Sequence, residues 1–350
     1  MAIERLLLVE PRSFCAGVET AVKTLAWMVW IHDEPVYCVH EIVHNREVVD
    51  RFQRLGVVFV DAVTDVPADA PVVLSAHGSA PGVVTEARRR PVSVDAVCPL
   101  VAKVHREIRE RARAGDTILY AGHRGHDEAV AALAIAPGTS TLVETPDEIE
   151  LIPPTRAVSL LAQTTLNCDD VDAIERAARQ RFAHVWTPRH ADLCFATTNR
   201  QRALAAACDH ADAVVVVGSR SSSNTRALVD VARRGGLPVQ RVDRAEELIG
   251  PWPRTVAVTA GASAPARAVD DVVNALGPVS RERFAPIPED EYFPLPPDLR
   301  ALLASRPLTE LQRELMRRDR SLTAVELLEE VERERFSDKC HPAHALAPNG

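Results

Sequence analysis

The chain has 350 residues, of which 46% are hydrophobic and 26% are charged, and this balance is ordinary for a globular protein with real cores. Its formal net charge of −8 excludes the overall basic character of nucleic-acid-binding domains and gives no reason to expect an anionic membrane partner. No apolar run approaches the length of a membrane span, and the apolar run near the N-terminus is too short for a signal peptide.

The cysteine content indicates a redox compartment. The chain has seven cysteines, an odd number, and no C-x-x-C pair. In a large chain without a secretion signal, this usage is typical of a reducing environment rather than of a disulfide framework. We therefore expect a cytoplasmic protein.

Short apolar runs alternate with helical patterns along most of the chain. The runs predicted to be strands are 5–9, 36–39, 57–60, 72–74, 117–120, 157–161, 213–217 and 255–258. Between them, Thr198 with Gln201 has the form of a capping box, which predicts a helix that starts at Thr198. Regular alternation of strand and helix predicts an α/β fold with largely parallel sheets.

Six of the predicted strands run directly into loops of small polar or imidazole-bearing residues. We call these the six polar loops, and they are 40–45, 75–78, 122–128, 163–165, 218–224 and 259–263. Ligands of parallel α/β sheets bind at the carboxyl ends of the strands. We therefore expect the six polar loops to face one cavity.

Three of the cysteines, Cys15, Cys98 and Cys194, each follow a strand-like run and precede a helical pattern. A thiol at a helix start meets the helix dipole and free backbone N–H groups, which are expected to lower its pKa and suit it to bind metal. Three thiolates at one centre can hold an iron–sulfur cluster or, with a fourth ligand, zinc. The alternative is that they are buried cysteines that act as small hydrophobes. Each third of the chain offers one thiol and two polar loops, so we predict pseudo-threefold symmetry around a central site.

The polar loops match a compact anionic ligand. Hydroxyl and amide groups at strand-to-helix turns favour anions, and imidazoles can donate to phosphate oxygens. Neither G-x-x-x-x-G-K-[ST] nor a G-x-G-x-x-G that follows a strand is present, so a diphosphate is predicted rather than a nucleotide. Each residue alone is more often structural. The candidate diphosphate ligands are His44, His77, His126, Ser222, Ser223, Asn224 and Ser263.

Glu128 follows His126 by two residues in a Gly-rich turn. A carboxyl beside a bound diphosphate feels like charge, which raises its pKa and keeps it protonated near neutral pH. We predict that Glu128 is a general acid and that Thr164 or a water relays its proton. The alternative is a solvated surface glutamate.

Together these stretches resemble the family of 4-hydroxy-3-methylbut-2-enyl diphosphate reductases, the last enzyme of the non-mevalonate isoprenoid pathway. The resemblance covers about residues 5 to 277. The matching stretches are 14–18, 41–46, 75–78, 98–101, 122–123, 125–126, 163–166, 194–201, 222–224 and 259–265, with Glu128.

The resemblance implies a trefoil of three αβα units around one 4Fe-4S cluster held by Cys15, Cys98 and Cys194. The iron without a protein ligand would bind the substrate's hydroxyl oxygen, and the seven candidate ligands would hold the diphosphate. Glu128, working with Thr164 at the substrate, would deliver the proton that lets the hydroxyl leave as water. The implied reaction turns (E)-4-hydroxy-3-methylbut-2-enyl diphosphate into isopentenyl diphosphate and dimethylallyl diphosphate, with two electrons from a ferredoxin or flavodoxin.

The predicted organisation has three units and an extension. The parts are an N-terminal strand that joins the third unit (1–14), three αβα units (15–97, 98–193 and 194–277) and a C-terminal extension (278–350). We predict two charged amphipathic helices within 298–336, serving packing or interaction, and a frayed end at 337–350. Ser13 stands where the family usually has glycine.

Two other functions are compatible with parts of the pattern. A quinolinate synthase-like iron–sulfur dehydratase would share the three thiols, but it needs carboxylate-binding residues where this chain has Ser–Asn turns and histidines. A non-catalytic zinc or iron–sulfur sensor would use the thiols for metal and the C-terminal extension for a partner.

Overall fold

The structure is a computed structural model that describes residues 3–188 and 192–337. It contains three separate sheets in which all strand pairs are parallel, with helices packed on them, and this confirms the predicted α/β fold of three units. None of the described helices combines the length and apolar character that crossing a bilayer requires.

The first unit has four strands and three helices. Their bounds are α1 Ala16–Ile31, β2 Tyr37–Val39, α2 Arg46–Arg54, β3 Val58–Val60, β4 Val72–Leu74, α3 Pro81–Ala87 and β5 Ser93–Asp95. The strand order is β3-β2-β4-β5, so β2 and β4 are central.

The second unit repeats this arrangement. Its elements are α4 Pro99–Arg113, β6 Thr117–Ala121, α5 Asp127–Leu133, β7 Ser140–Val143, β8 Val158–Ala162, α6 Cys168–Arg181 and β9 Val185–Trp186. The order β7-β6-β8-β9 makes β6 and β8 central.

The third unit has the largest sheet. Its elements are β1 Arg5–Val9, α7 Phe195–Cys208, β10 Ala213–Val217, α8 Ser223–Arg234, β11 Val239–Val242, β12 Thr255–Ala260, α9 Ala266–Leu276 and β13 Ser280–Phe284. The order is β11-β10-β12-β1-β13, so the N-terminal strand β1 lies between β12 and β13. The sheet of this unit therefore continues past residue 277 into the segment assigned to the extension.

The same topological change occurs once in every sheet. In the first unit the chain goes from β2 to its outer neighbour β3, and from β4 to its outer neighbour β5, on the other side of the sheet. The pair β6/β8 repeats this with β7 and β9. In the third unit β10 is followed by β11 on one side, and β12 by β13 on the other side, beyond β1. A crevice opens at the carboxyl ends of such central strands and is where parallel α/β sheets bind ligands. The six polar loops follow these six strands.

Up to residue 337, the C-terminal extension has three helices, α10 Pro297–Ser305, α11 Glu310–Arg317 and α12 Ala324–Ser337. The prediction of two helices was therefore wrong. Pro307, in the short connection between α10 and α11, has no backbone N–H to continue a helix, and this explains the break. Ser337 is the last residue of α12, and the rest of the predicted frayed end lies outside the described residues.

The extension packs on α1, the helix that begins next to Cys15. Leu327 and Leu328 of α12 join Leu25 of α1 in one buried apolar core. At its first turn, α12 is held by Glu19, whose Oε2 accepts the backbone N–H of Ala324 at 2.6 Å. The extension is thus part of the core of the first unit.

Two charged contacts hold the extension further along. The ammonium of Lys23 on α1, which is buried, donates to the carbonyl of Asp319 at 2.8 Å. Arg51 on α2 makes a forked pair with Glu332 at 2.9 and 2.8 Å. The extension therefore contacts both α1 and α2.

Candidate functional site

The three predicted metal-ligating cysteines occupy equivalent places. Cys15, Cys98 and Cys194 are the N-cap residues of α1, α4 and α7. The prediction that a helix starts at Thr198 was wrong, because α7 begins at Phe195 and Thr198 lies in its first turn. There the Thr198 hydroxyl donates to the carbonyl of Phe195 at 3.1 Å instead of capping the helix.

Each cysteine is held by a polar loop of the preceding unit. In all three cases the cysteine N–H donates to a carbonyl just after a central strand. The bonds are Cys15 to Ala262 at 3.1 Å, Cys98 to Ala76 at 3.0 Å and Cys194 to Thr164 at 3.1 Å. This repeat joins the units in a closed ring and places the three thiols at the junctions.

The three thiols line a single cavity. A Cβ at position 17 would lie 2.7 Å from Sγ of Cys98, so only glycine allows α1 to approach that thiol. The cavity offers about 90 Å³, several times the roughly 10–15 Å³ that one water requires. Within 3–188 and 192–337, no three His, Cys, Asp or Glu side chains are grouped as around a single metal ion. Three thiols around a space of this size fit a larger sulfur-bound group.

Burial governs the acidity of the thiols. It raises the pKa of Cys15 and of Cys98, and it raises the pKa of Cys194 to about 12. The prediction of a lowered pKa for these three thiols was therefore wrong, because burial outweighs the opposing backbone hydrogen bonds. The helix starts do act in the predicted direction, since the backbone N–H of Thr197 donates to Sγ of Cys194 at 3.2 Å and favours its thiolate. A coordinated metal would supply the positive charge that deprotonation requires.

The residue two positions before Cys15 has an unusual backbone. Ser13 has φ of 61°, in the left-handed region that favours glycine. Its Oγ is buried and makes no hydrogen bond with the described residues. The resemblance had flagged this position as one where glycine is usual, and the backbone gives the physical reason.

The three predicted histidines lie together on one wall of the cavity. The rings of His44 and His77 are stacked with centroids 4.0 Å apart, and His126 meets their edges at 5.1 and 5.8 Å. The Nε2 atoms of His44 and His77 are buried without a hydrogen-bond partner in the described structure. Buried polar atoms normally have partners, so the wall is suited to a polar ligand.

Two imidazoles on this wall, those of His77 and His126, are held in the neutral form. Burial, followed by the proximity of His44, lowers the pKa of His77, and the same causes lower the pKa of His126 to about 3. Nδ1 of His126 accepts the N–H of Glu128 at 3.2 Å, so the proton of neutral His126 is on Nε2. His126 therefore presents a donor at Nε2.

The predicted hydroxyl and amide ligands lie on the same cavity, contributed by the third unit. Ser222 is the N-cap of α8, so Ser223 and Asn224 are in its first turn, where N–H groups favour anions. Ser263 donates to the carbonyl of His44 at 3.0 Å, and Ser223 to the carbonyl of Thr165 at 3.2 Å. These bonds tie the third unit to the other two at the cavity wall.

Glu128 is wholly enclosed rather than solvated. Its Oε1 accepts the backbone N–H of Thr164 at 2.7 Å, and its Oε2 accepts the Thr164 hydroxyl at 3.1 Å. Burial raises the pKa of Glu128 to about 7, against the opposing effect of the Thr164 hydrogen bonds. A carboxyl with this pKa exchanges protons readily near neutral pH.

Several residues of the site were not found by sequence reasoning. Phe293, from the extension, lines the cavity beside Phe195. Arg200 of α7 is buried and paired with Glu289. Arg200 lies in a stretch that the resemblance covers, but Glu289 and Phe293 lie within a Pro-rich, acidic segment (278–297) that gives no local signal of a site.

Comparison with known proteins identifies relatives of the whole region. A family model described as LytB protein matches residues 6–277. The 4-hydroxy-3-methylbut-2-enyl diphosphate reductase 2 of Mycobacterium bovis is 43% identical over 77% of this chain and 85% of its own length. The 4-hydroxy-3-methylbut-2-enyl diphosphate reductase of Cereibacter sphaeroides is 44% identical over 80% of this chain and 89% of its own.

Solved structures give the same relationship. The E-1-hydroxy-2-methyl-but-2-enyl-4-diphosphate reductase from Plasmodium falciparum superposes with a TM-score of 0.84 at 30% identity, over 87% of this chain and 99% of that chain. A second structure is described as (E)-4-hydroxy-3-methyl-but-2-enyl diphosphate reductase, the terminal enzyme of the non-mevalonate pathway. It superposes with a TM-score of 0.58 at 26% identity, over 78% of this chain and 99% of that chain.

Proposed function

The chain belongs to the LytB family, and from that premise we propose that it reduces (E)-4-hydroxy-3-methylbut-2-enyl diphosphate to isopentenyl diphosphate and dimethylallyl diphosphate. The reaction replaces a C–O bond by a C–H bond, consumes two electrons and two protons, and releases one water. One observation carries the proposal. Three thiols at helix starts share a cavity with imidazoles whose Nε2 atoms lack hydrogen-bond partners and with the Glu128 carboxyl, whose pKa is raised.

We assign Cys15, Cys98 and Cys194 as the ligands of one 4Fe-4S cluster. Support comes from their equivalent N-cap positions, from the shared cavity and from the glycine that admits the Cys98 thiol. When bound, the cluster supplies an iron that acts as a Lewis acid and a path for two electrons. A three-cysteine set leaves one iron without a protein ligand.

We assign the diphosphate to the part of the cavity lined by imidazole, hydroxyl and amide groups. Its ligands would be the seven side chains named from the sequence, and all seven line this cavity: His44, His77, His126, Ser222, Ser223, Asn224 and Ser263. An anion bound here would meet several donors. They are the unpaired Nε2 atoms of His44 and His77, the Nε2–H of His126 and the backbone N–H groups in the first turn of α8. Bound phosphate would in turn favour the protonated imidazoles.

Glu128 would hold and deliver the proton that accompanies loss of the hydroxyl. Its raised pKa keeps a substantial protonated fraction near neutral pH. Thr164 fixes the carboxyl through two hydrogen bonds, and Thr164 also lines the cavity, which suits its hydroxyl to pass the proton on. Enclosure of Glu128 excludes bulk water as a competing donor.

The electron donor and the compartment are further parts of the proposal. Two electrons must come from outside the chain, and a ferredoxin or flavodoxin delivers electrons of suitable potential. The six cysteines in the described residues are free thiols, which suits a reducing cytoplasm.

The quinolinate synthase-like alternative has less support. The described lining of the cavity has imidazole, hydroxyl, amide and carboxyl groups, but neither Arg nor Lys to bind a dicarboxylate. The sensor alternative leaves the enclosed Glu128–Thr164 pair without a purpose.

The deciding experiment is an anaerobic assay of the reconstituted protein with the allylic diphosphate and reduced methyl viologen. We expect both isoprenoid diphosphates as products. In Glu128→Gln we expect the visible spectrum of the cluster and substrate binding to persist while turnover falls about 10²–10⁴-fold, the usual contribution of a general acid.

The matched control is Glu175→Gln, which neutralises a partly exposed glutamate of α6 that pairs with Arg179 at 2.7 Å. It should turn over like the unaltered protein. A protein that carries the cluster but forms neither product would contradict the proposed function. Full turnover by Glu128→Gln would remove Glu128 as the donor while leaving the reaction in place.

A further inference from the structure

Arg200 is a fully buried cation between the segments that carry two of the thiols. It lies on α7, six residues after Cys194, and its side chain has 0% exposure. A buried charge is costly unless it is paired and hydrogen-bonded, so its partners indicate what it is for.

Those partners come from three separate parts of the chain. Nη1 donates to Oε1 and Oε2 of Glu289 at 2.9 and 3.1 Å and to the carbonyl of Ala196 at 3.0 Å. Nη2 donates to the carbonyl of Ser13 at 2.9 Å. One guanidinium therefore connects the turn that follows Cys194, the turn that precedes Cys15 and the segment between β13 and α10.

That segment also reaches the cavity. Glu289 is held a second time by Nδ2 of Asn199 at 3.2 Å. Four residues later, Phe293 lines the cavity, and its carbonyl accepts the hydroxyl of Thr20 on α1 at 2.9 Å. Pairing of Arg200 with Glu289 thus helps to fix the segment from which Phe293 lines the cavity.

The hydrogen bonds of Arg200 place its charge close to two of the cysteines. Its guanidinium donates to the carbonyl of Ala196, two residues after Cys194, and to that of Ser13, two residues before Cys15. Nε of Arg200 is buried and has no hydrogen-bond partner in the described residues. The guanidinium therefore retains one donor that no described protein atom uses.

We propose that Arg200 and Glu289 are positioning residues whose paired charges set the reduction potential of the cluster held by Cys15, Cys98 and Cys194. Reduction adds negative charge, so a nearby cation favours the reduced cluster and a nearby carboxylate opposes it. This inference rests on the proposed function, since it requires the cluster.

The test is a redox titration of the anaerobically reconstituted protein, followed by visible absorbance and electron paramagnetic resonance. Arg200→Gln should make the cluster harder to reduce, with at least a tenfold loss in the equilibrium constant for one-electron reduction, which is about 59 mV. Glu289→Gln should shift the potential in the opposite direction. Arg200→Lys keeps the positive charge but cannot make all the hydrogen bonds of the guanidinium. The potential of this variant should stay close to that of the unaltered protein, while iron should be lost faster on dilution because the surrounding segments are held less firmly.

Opposite shifts are what a merely structural role would not produce. Arg179→Gln, which removes a half-exposed arginine of α6, is the control and should leave the potential unchanged. Shifts of the same sign in Arg200→Gln and Glu289→Gln, or none in either, would overturn the inference. If Arg200→Gln does not hold a cluster, the result for Glu289→Gln decides alone. A potential of Glu289→Gln that equals that of the unaltered protein, or is more negative, would then reject the inference. Absence of a cluster from the unaltered protein would instead reject the proposed function.

Discussion

At the scale of single residues, Glu128 shows how burial prepares a side chain for chemistry. Sequence reasoning expected a bound diphosphate to raise its pKa, but enclosure between α5 and the loop after β8 already raises it to about 7. The direction was predicted correctly and the main cause was not. A sequence gives the position of a carboxyl in a turn, whereas its desolvation depends on elements that pack over it.

This pKa predicts a pH dependence of catalysis. A proton donor must be protonated, and Glu128 loses its proton as pH rises through about 7, so kcat/KM should fall above that pH. Thr164→Val removes the hydroxyl bond that favours the carboxylate, so the falling limb should move to higher pH. A pH profile of kcat/KM checks both, and a limb that stays in place in Thr164→Val would contradict the assignment.

At the scale of elements, the sequence identified the interior strands of each sheet and one edge strand, β3, but missed the other edge strands. All six central strands that precede the polar loops were predicted. The strands not predicted, β5, β7, β9, β11 and β13, all lie at sheet edges. Edge strands are covered less completely and need no continuous apolar run, and β13, with the sequence Ser-Arg-Glu-Arg-Phe, is exposed along most of its length.

The packing of α12 on α1 makes a prediction about stability. Leu327 is 0% exposed in the core that the two helices share, so Leu327→Ala should lower the free energy of unfolding by about 2–5 kcal/mol. Leu311→Ala, on α11 at 43% exposure, should change it by less than about 0.5 kcal/mol. Urea unfolding measures both. If Leu327→Ala lowers the free energy of unfolding as little as Leu311→Ala does, the extension does not contribute to the core of the first unit.

At the scale of the whole molecule, the ring of contacts between units could be predicted only in part. The order of thiols and polar loops along the chain was enough to expect one cavity with approximate threefold symmetry. The Arg200–Glu289 pair was not predictable, because its members are 89 residues apart and Glu289 lies in a segment without a regular pattern. Such a contact depends on the tertiary fold and leaves no periodicity in the sequence.

Removal of iron should loosen the junctions between units. Ligands of the proposed cluster come from the starts of α1, α4 and α7, so binding stabilises the ring of three units by linkage. Chelation under anaerobic conditions should lower Tm and increase hydrogen exchange at these three helix starts more than in the sheet interiors. Identical Tm values and exchange with and without iron would contradict a role of the metal in joining the units.

The left-handed backbone at Ser13 has a practical consequence. A serine in this conformation gives up about 1 kcal/mol relative to glycine, and its hydroxyl has no described partner that would justify the residue. Laboratory evolution of a more heat-tolerant catalyst could therefore begin at this position, where a smaller residue would relax the main chain and leave every reacting group unaltered.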